Sequence, residues 1–158
     1  MSEARGPAEL AAFIAARGIA AEIVPMTMET PTVAAAALAL GVDANQIIKT
    51  VLFLVRDAPV LAIACGEAAI DRRPIADEHG VGKKQVKLVD RDTVLRVTGY
   101  PAGGVPPFGH LAPLPTLIDG QIQAMAVVYG GGGDDRTLLR ITPEELGRVT
   151  SGKWVELS

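Results

Sequence analysis

Five consecutive apolar residues, Val51-Leu52-Phe53-Leu54-Val55, constrain this chain more than any other stretch. A strand made of them has no polar side to turn to water, so it must be covered on both faces. Lys49 stands just ahead of the run, in Ile47-Ile48-Lys49-Thr50. Alternate strand residues share a face, so Lys49 points the same way as Val51, Phe53 and Val55. Spacing alone leaves two readings of its ammonium. It snorkels from a strand end to water, or it sits partly desolvated at the rim of a cleft, where burial would lower its pKa.

A chain of 158 residues suits one domain, spanning 1–158, with a sizeable core. Hydrophobic residues make up 49% but aromatics only 4%, so Ala, Val, Leu and Ile must fill that core. No apolar run is long enough to span a bilayer, and residues 1–7 lack the apolar segment of a signal peptide. A single cysteine, Cys65, excludes an internal disulfide and a multi-cysteine metal site. The expectation is a soluble cytoplasmic protein without a membrane partner. The net charge of −3 excludes a global basic field. Contact with nucleic acid would therefore need a local patch. Lys83, Lys84 and Lys87 form the one compact basic cluster, either a set of phosphate contacts or a solvated surface group.

Periodicity and punctuation divide the rest. Residues 7–17 read as a helix, with Leu10, Phe13 and Ile14 on one face and Gly18 as its stop. Residues 19–24 suit a short strand. Thr30-Pro31 looks like a cap with proline in the first turn, opening an alanine-rich helix over 32–40 that Gly41 ends. The buried strand 48–55 turns through 56–59 into a second apolar strand, 60–65, as a hairpin. A short helix over 71–79, a strand over 86–89 and a helix from Asp90 to Arg96 follow. Strands are expected over 115–119, 125–129 and 137–141. Thr142-Pro143-Glu144-Glu145 opens a helix ending near Val149, and 153–157 can add an edge strand. Frequent hairpins and few long βαβ units favour an α+β fold with a mixed, mostly antiparallel sheet.

The usual catalytic constellations are missing from the sequence. It has no Gly-x-Ser-x-Gly, His79 and His110 are expected in loops, and Cys65 ends an apolar strand as an inert buried thiol. Two separated histidines and one cysteine give no metal-ligand spacing, so no metal is expected. Gly130 to Gly133 precede a strand where a dinucleotide fingerprint needs a helix, so no cofactor is expected either. More informative is Thr98-Gly99-Tyr100-Pro101-Ala102-Gly103-Gly104-Val105-Pro106-Pro107-Phe108-Gly109-His110. Glycine and proline this dense make a stiff, shaped loop. Its pre-set N–H groups suit a carbonyl or oxyanion; a tight structural crossover is the equal alternative.

These stretches together resemble one family. Ile47-Ile48-Lys49-Thr50-Val51-Leu52-Phe53, preceded by the alanine-rich helix, is similar to the Lys-Thr strand of the YbaK/prolyl-tRNA synthetase-associated editing domains. Gly103-Gly104-Val105-Pro106-Pro107-Phe108-Gly109-His110 resembles their second hallmark loop, and Tyr129-Gly130-Gly131-Gly132 their C-terminal glycine turn. The likeness runs over nearly the whole chain in the right order. It implies a partly barrel-like mixed sheet flanked by helices, and hydrolysis of the ester of a mischarged tRNA, typically tRNA(Pro) carrying Ala or Cys. It implies Lys49 as the catalytic residue. Substrate contacts would come from Thr32, Thr50, Gly103, Gly104, Val105, Pro107, Phe108, Gly109 and Gly131. The partners would be the acceptor end of aminoacyl-tRNA and prolyl-tRNA synthetase. Pro106 stands where many members carry serine, and the aromatic some carry near Met26 is absent; both bear on which amino acid is removed. The alternative function is a non-catalytic module that binds aminoacyl-adenosine or docks on a synthetase.

Overall fold

The computed structural model describes residues 4–30 and 32–158. Among the described residues eight strands form two sheets. The larger has the order β4-β2-β3-β5-β8, from Val86–Leu88 (β4), Ile48–Val55 (β2), Ala58–Cys65 (β3), Thr116–Asp119 (β5) and Lys153–Val155 (β8). The smaller is antiparallel, β1-β7-β6, from Ala21–Pro25 (β1), Thr137–Ile141 (β7) and Val128–Gly131 (β6). In the larger sheet β2 runs antiparallel to β3 and β4, whereas β5 and β8 add on in parallel. Among the described residues a single bridge, Ile47 with Tyr129, joins the two sheets. The fold is α+β with one mixed and one antiparallel sheet.

The β2 run is covered on both faces, as an unbroken apolar strand requires. Ile48 packs with Ile63, Cys65 and Ile118 on one side. Phe53 and Val55 pack with Ala62, Ile75 and Val86 on the other. The β2–β3 hairpin closes on two residues, Arg56 and Asp57, both in the left-handed region (φ 48° and 69°), which matches the twist of the flanking strands. The expected four-residue turn is thus shorter, and Pro59 lies within β3.

Local capping chemistry places five α-helices among the described residues. Pro7–Arg17 (α1) is stopped by Gly18. Val33–Leu40 (α2) is capped by Thr32, whose Oγ1 accepts from Ala35 N–H at 3.0 Å. The cap expected at Thr30 is displaced: Thr30 is buried and its hydroxyl faces the Asp135 carbonyl. Pro31 lies outside the described residues. Asp71 caps Arg72–His79 (α3), and Asp90 caps Arg91–Thr98 (α4) by accepting from Thr93 N–H at 2.8 Å. His79 therefore belongs to a helix and not a loop, its Nδ1 bonded to the Ile75 carbonyl. Thr142 caps Pro143–Thr150 (α5). The Glu145 carboxylate is diverted from its own helix start: it accepts from Ala20 N–H at 2.6 Å and pairs with Arg148. It thereby ties α5 to the start of β1.

Several strand boundaries differ from expectation: β1 covers Ala21–Pro25 rather than 19–24, and β4 stops at Leu88. The strand expected over 125–129 spans Val128–Gly131, because Gly130 and Gly131 pair with Leu139 and Leu138. Long-range ladder bonds overrode the local turn signal of the glycines. The last strand stops at Val155; beyond it Leu157 is fully buried and its carbonyl accepts from Asp71 N–H.

Candidate functional site

β2 begins in a 3-10 turn over Ala44–Gln46, and beside its first residues opens a cavity of about 350 Å³. Lys49 and Thr50 form one wall, Gly103 and Val105 a second, and Gly130 and Gly131 of β6 a third. Val33 and Ala36 of α2 close it from the side. Among the described lining residues Lys49 carries the only charge, and no carboxylate, histidine, serine or cysteine is present.

Lys49 is half-buried, and its Nζ donates to the Ala68 carbonyl at 2.9 Å. The ammonium is thus anchored on one side with two further protons available. Thr50 points to the opposite face. Its Oγ1 is buried without a hydrogen-bond partner, an arrangement that costs free energy unless something fills it.

The backbone of β2 is open here too. The Gly66 N–H donates to the Ile47 carbonyl on the β3 side, and the Arg56 N–H to the Gln85 carbonyl on the β4 side. Antiparallel pairing alternates, so odd residues of β2 address β3 and even residues face away from it. β4 pairs only from Phe53 onward. The N–H and C=O of Thr50 therefore face the cleft with no backbone partner among the described residues.

The glycine loop divides in its roles. Gly103 (φ +94°) lines the cavity, and its N–H has no partner among the described residues. Gly104 does not line it: its N–H donates to the Pro101 carbonyl at 3.0 Å, and a methyl group on its α-carbon would run into the backbone of Asp134 at 2.7 Å. Its carbonyl accepts from Gly133 N–H at 2.9 Å. Gly104 is thus the point where two loops touch. Pro107, Phe108 and Gly109 face away from the cavity, into a second pocket of about 230 Å³. There Phe108 stacks on Phe13 with centroids 5.9 Å apart. Thr32 lines the main cavity, but its hydroxyl is engaged as the α2 cap. Lys83 and Lys84 lie in the Lys83–Gln85 turn and Lys87 in β4, opposite Leu54. Five residues along β2 separate Leu54 from Lys49, about 17 Å.

Other reactive groups stand apart. Cys65 is buried opposite Ile48, and burial, with the nearby Asp119 charge, pushes its thiol pKa up. His110 donates from Nε2 to the Pro106 carbonyl at 2.7 Å, the tautomer that bond requires. Burial holds its pKa below the ordinary imidazole value.

Comparison with known proteins decides the family. The model of the aminoacyl-tRNA editing domain matches residues 27–149. The chain belongs to the aminoacyl-tRNA editing domain family. This editing domain is 26% identical over 138 residues to the Bacillus subtilis protein YwhH, covering 86% of each. It is 31% identical over 93 residues to the proline–tRNA ligase of Geobacter metallireducens, covering 59% of this chain but only 16% of the ligase. A crystal structure described as a candidate trans-editing enzyme for prolyl tRNA synthetase superposes with a TM-score of 0.89, at 28% identity and 96% coverage of both chains. Among the described residues of this editing domain, no helix is long and apolar enough to cross a membrane.

Several lining residues carry no sequence signal of their own. Val33, Ala36 and Gly130 look like ordinary helix and turn positions. Only the approach of α2 and β6 to the start of β2 makes them walls of one cavity.

Proposed function

We propose that this chain is a trans-acting deacylase that hydrolyses the ester of a mischarged tRNA, with tRNA(Pro) carrying Ala or Cys as the leading substrate. The observation that carries the reading is the 350 Å³ cavity with one lysine as the sole charge of its described lining, opposite glycine backbone, in a chain of the editing family. Lys49 would hold the terminal phosphate or ribose. The free N–H of Gly103 would meet the oxygen that becomes negative as the ester is attacked, a contact worth about 3 kcal/mol per donor in comparable sites. Gly104, whose N–H is already used, would shape the loop instead.

With no nucleophile–base pair in the described lining, attack falls to water, with the vicinal ribose hydroxyl of the substrate passing a proton to the departing ribose oxygen. The ester carbon gains the incoming oxygen and the C–O bond to the tRNA ribose breaks, giving free amino acid and uncharged tRNA. Lys83, Lys84 and Lys87 would meet phosphates farther along the acceptor arm. The family's likeness to part of the proline–tRNA ligases supports prolyl-tRNA synthetase as a partner.

The test is a panel of mischarged tRNAs presented to wild type and Lys49→Ala. Turnover by wild type, lost by roughly 100-fold or more in the variant, is the expected result; equal turnover by both rejects the role of Lys49. A second reading, a non-catalytic module for aminoacyl-adenosine, is favoured by the lack of any general base in the described lining. Binding across the panel without hydrolysis would decide for it.

A further inference from the structure

Behind the glycine loop lies the second pocket, of about 230 Å³, which shares no lining residue with the main cavity. Gly103 and Val105 face the main cavity, whereas Pro107, Phe108 and Gly109 line this one. Its walls are mostly apolar: Phe108, stacked on Phe13, together with Leu114 and Val149. Most of its polar side chains are already spent. The Thr116 hydroxyl donates to the Leu114 carbonyl at 2.9 Å, and the Thr150 hydroxyl to the Leu146 carbonyl at 2.8 Å. Two groups are left. Arg17 holds its guanidinium 4.4 Å from the centre of the Phe13 ring and pairs with no carboxylate among the described residues. His110 spends Nε2 on the Pro106 carbonyl. Burial keeps its ring neutral, so Nδ1 is a bare acceptor. No acidic side chain stands in the described lining.

We propose that this pocket binds a one-ring aromatic carboxylate, its ring among Phe108, Leu114 and Val149 and its carboxylate on Arg17. The proposal stands independently of the deacylase reading. Size agrees: a cavity of about 150 Å³ holds benzene, so 230 Å³ takes a ring with one or two small substituents. Charge agrees as well. A guanidinium fork matches a carboxylate in a paired hydrogen bond. An ammonium on the ligand would find no carboxylate in the described lining, which disfavours amines. Inorganic phosphate also suits the fork but leaves the apolar walls unfilled. The Nδ1 of His110 can accept from a ring hydroxyl, so a hydroxybenzoate gains over benzoate.

The experiment adds 3-hydroxybenzoate, 4-hydroxybenzoate, benzoate, benzyl alcohol, tyramine and inorganic phosphate to the full chain. It follows the methyl NMR signals of Leu114 and Val149, beside those of Val33 and Leu138 in the main cavity. A hydroxybenzoate is expected to move Leu114 and Val149 with a Kd of about 1 mM or tighter. Benzoate should bind more weakly, and benzyl alcohol, tyramine and phosphate should leave these signals in place. Arg17→Gln changes an exposed side chain of α1 and is expected to weaken the hydroxybenzoate by about tenfold. Arg17→Lys should keep part of the affinity. Benzoate against benzyl alcohol tests the role of charge without any variant. No shift with any aromatic acid overturns the proposal, as does an equal response to benzyl alcohol, tyramine or phosphate. So do unchanged affinity in Arg17→Gln, and shifts at Val33 and Leu138 in place of Leu114 and Val149.

Discussion

Gly131 lies so close to Val105 that a methyl group on its α-carbon would overlap the Val105 carbonyl. This contact sets the depth of the cleft, since both residues line the cavity beside Lys49. Gly131→Ala must push the 101–109 loop away from β6. The expected outcome is a loss of about 1–3 kcal/mol in stability together with loss of deacylation. Urea midpoints and turnover on the same sample check both.

Thr50→Val separates stability from function. Valine has the shape of threonine without the hydroxyl, and that hydroxyl is buried without a partner. Removing an unsatisfied buried group while keeping its shape is neutral or favourable. The variant is therefore expected to be as stable as wild type or about 1 kcal/mol more so, yet slower on mischarged tRNA. A destabilised variant would mean that the hydroxyl has a partner in solution.

Two groups make stability depend on pH in separate windows. His110 has a folded pKa below the ordinary value of 6.5 because of burial. The unfolded chain therefore binds its proton first, and stability falls as pH drops below about 6.5. Glu145 is held at about 2 by its Arg148 and Ala20 hydrogen bonds, against an ordinary value of 4.5. Its contribution is complete above about 4.5 and drains away as pH falls toward 2. Thermal midpoints of wild type and Glu145→Gln should differ at pH 6 and converge near pH 2. The step between pH 7 and 5 should persist in Glu145→Gln and vanish in His110→Gln.

Lys87 lies about 17 Å along β2 from Lys49, and Lys83 and Lys84 stand farther on, in the turn before β4. If they meet acceptor-arm phosphates, replacing all three by alanine weakens tRNA binding. It should also flatten the dependence of log K on log salt by about 2 to 3. The rate at saturating tRNA stays unchanged. An unaltered salt slope returns these lysines to a solvated surface.

What the chain encodes locally was legible from its residues alone. Asp71, Asp90 and Thr142 cap helices through side-chain bonds spanning two or three residues. Gly18, Gly41 and Gly80 end them in left-handed geometry. The β2–β3 hairpin follows from two apolar runs flanking a tight turn. These features involve neighbours in sequence, so residue type and spacing determine them. The same holds for Lys49 at the mouth of a strand that must be covered on both faces.

Tertiary structure decided what depends on partners far along the chain. The parallel additions of β5 and β8, the glycines drawn into β6, and the turning of Pro107, Phe108 and Gly109 toward Phe13 all come from pairing and packing across long separations. So does the role of Gly104, whose carbonyl takes the Gly133 N–H and whose α-carbon abuts the Asp134 backbone. No dipeptide can announce that role, because it arises only when the 130–135 segment closes against the loop.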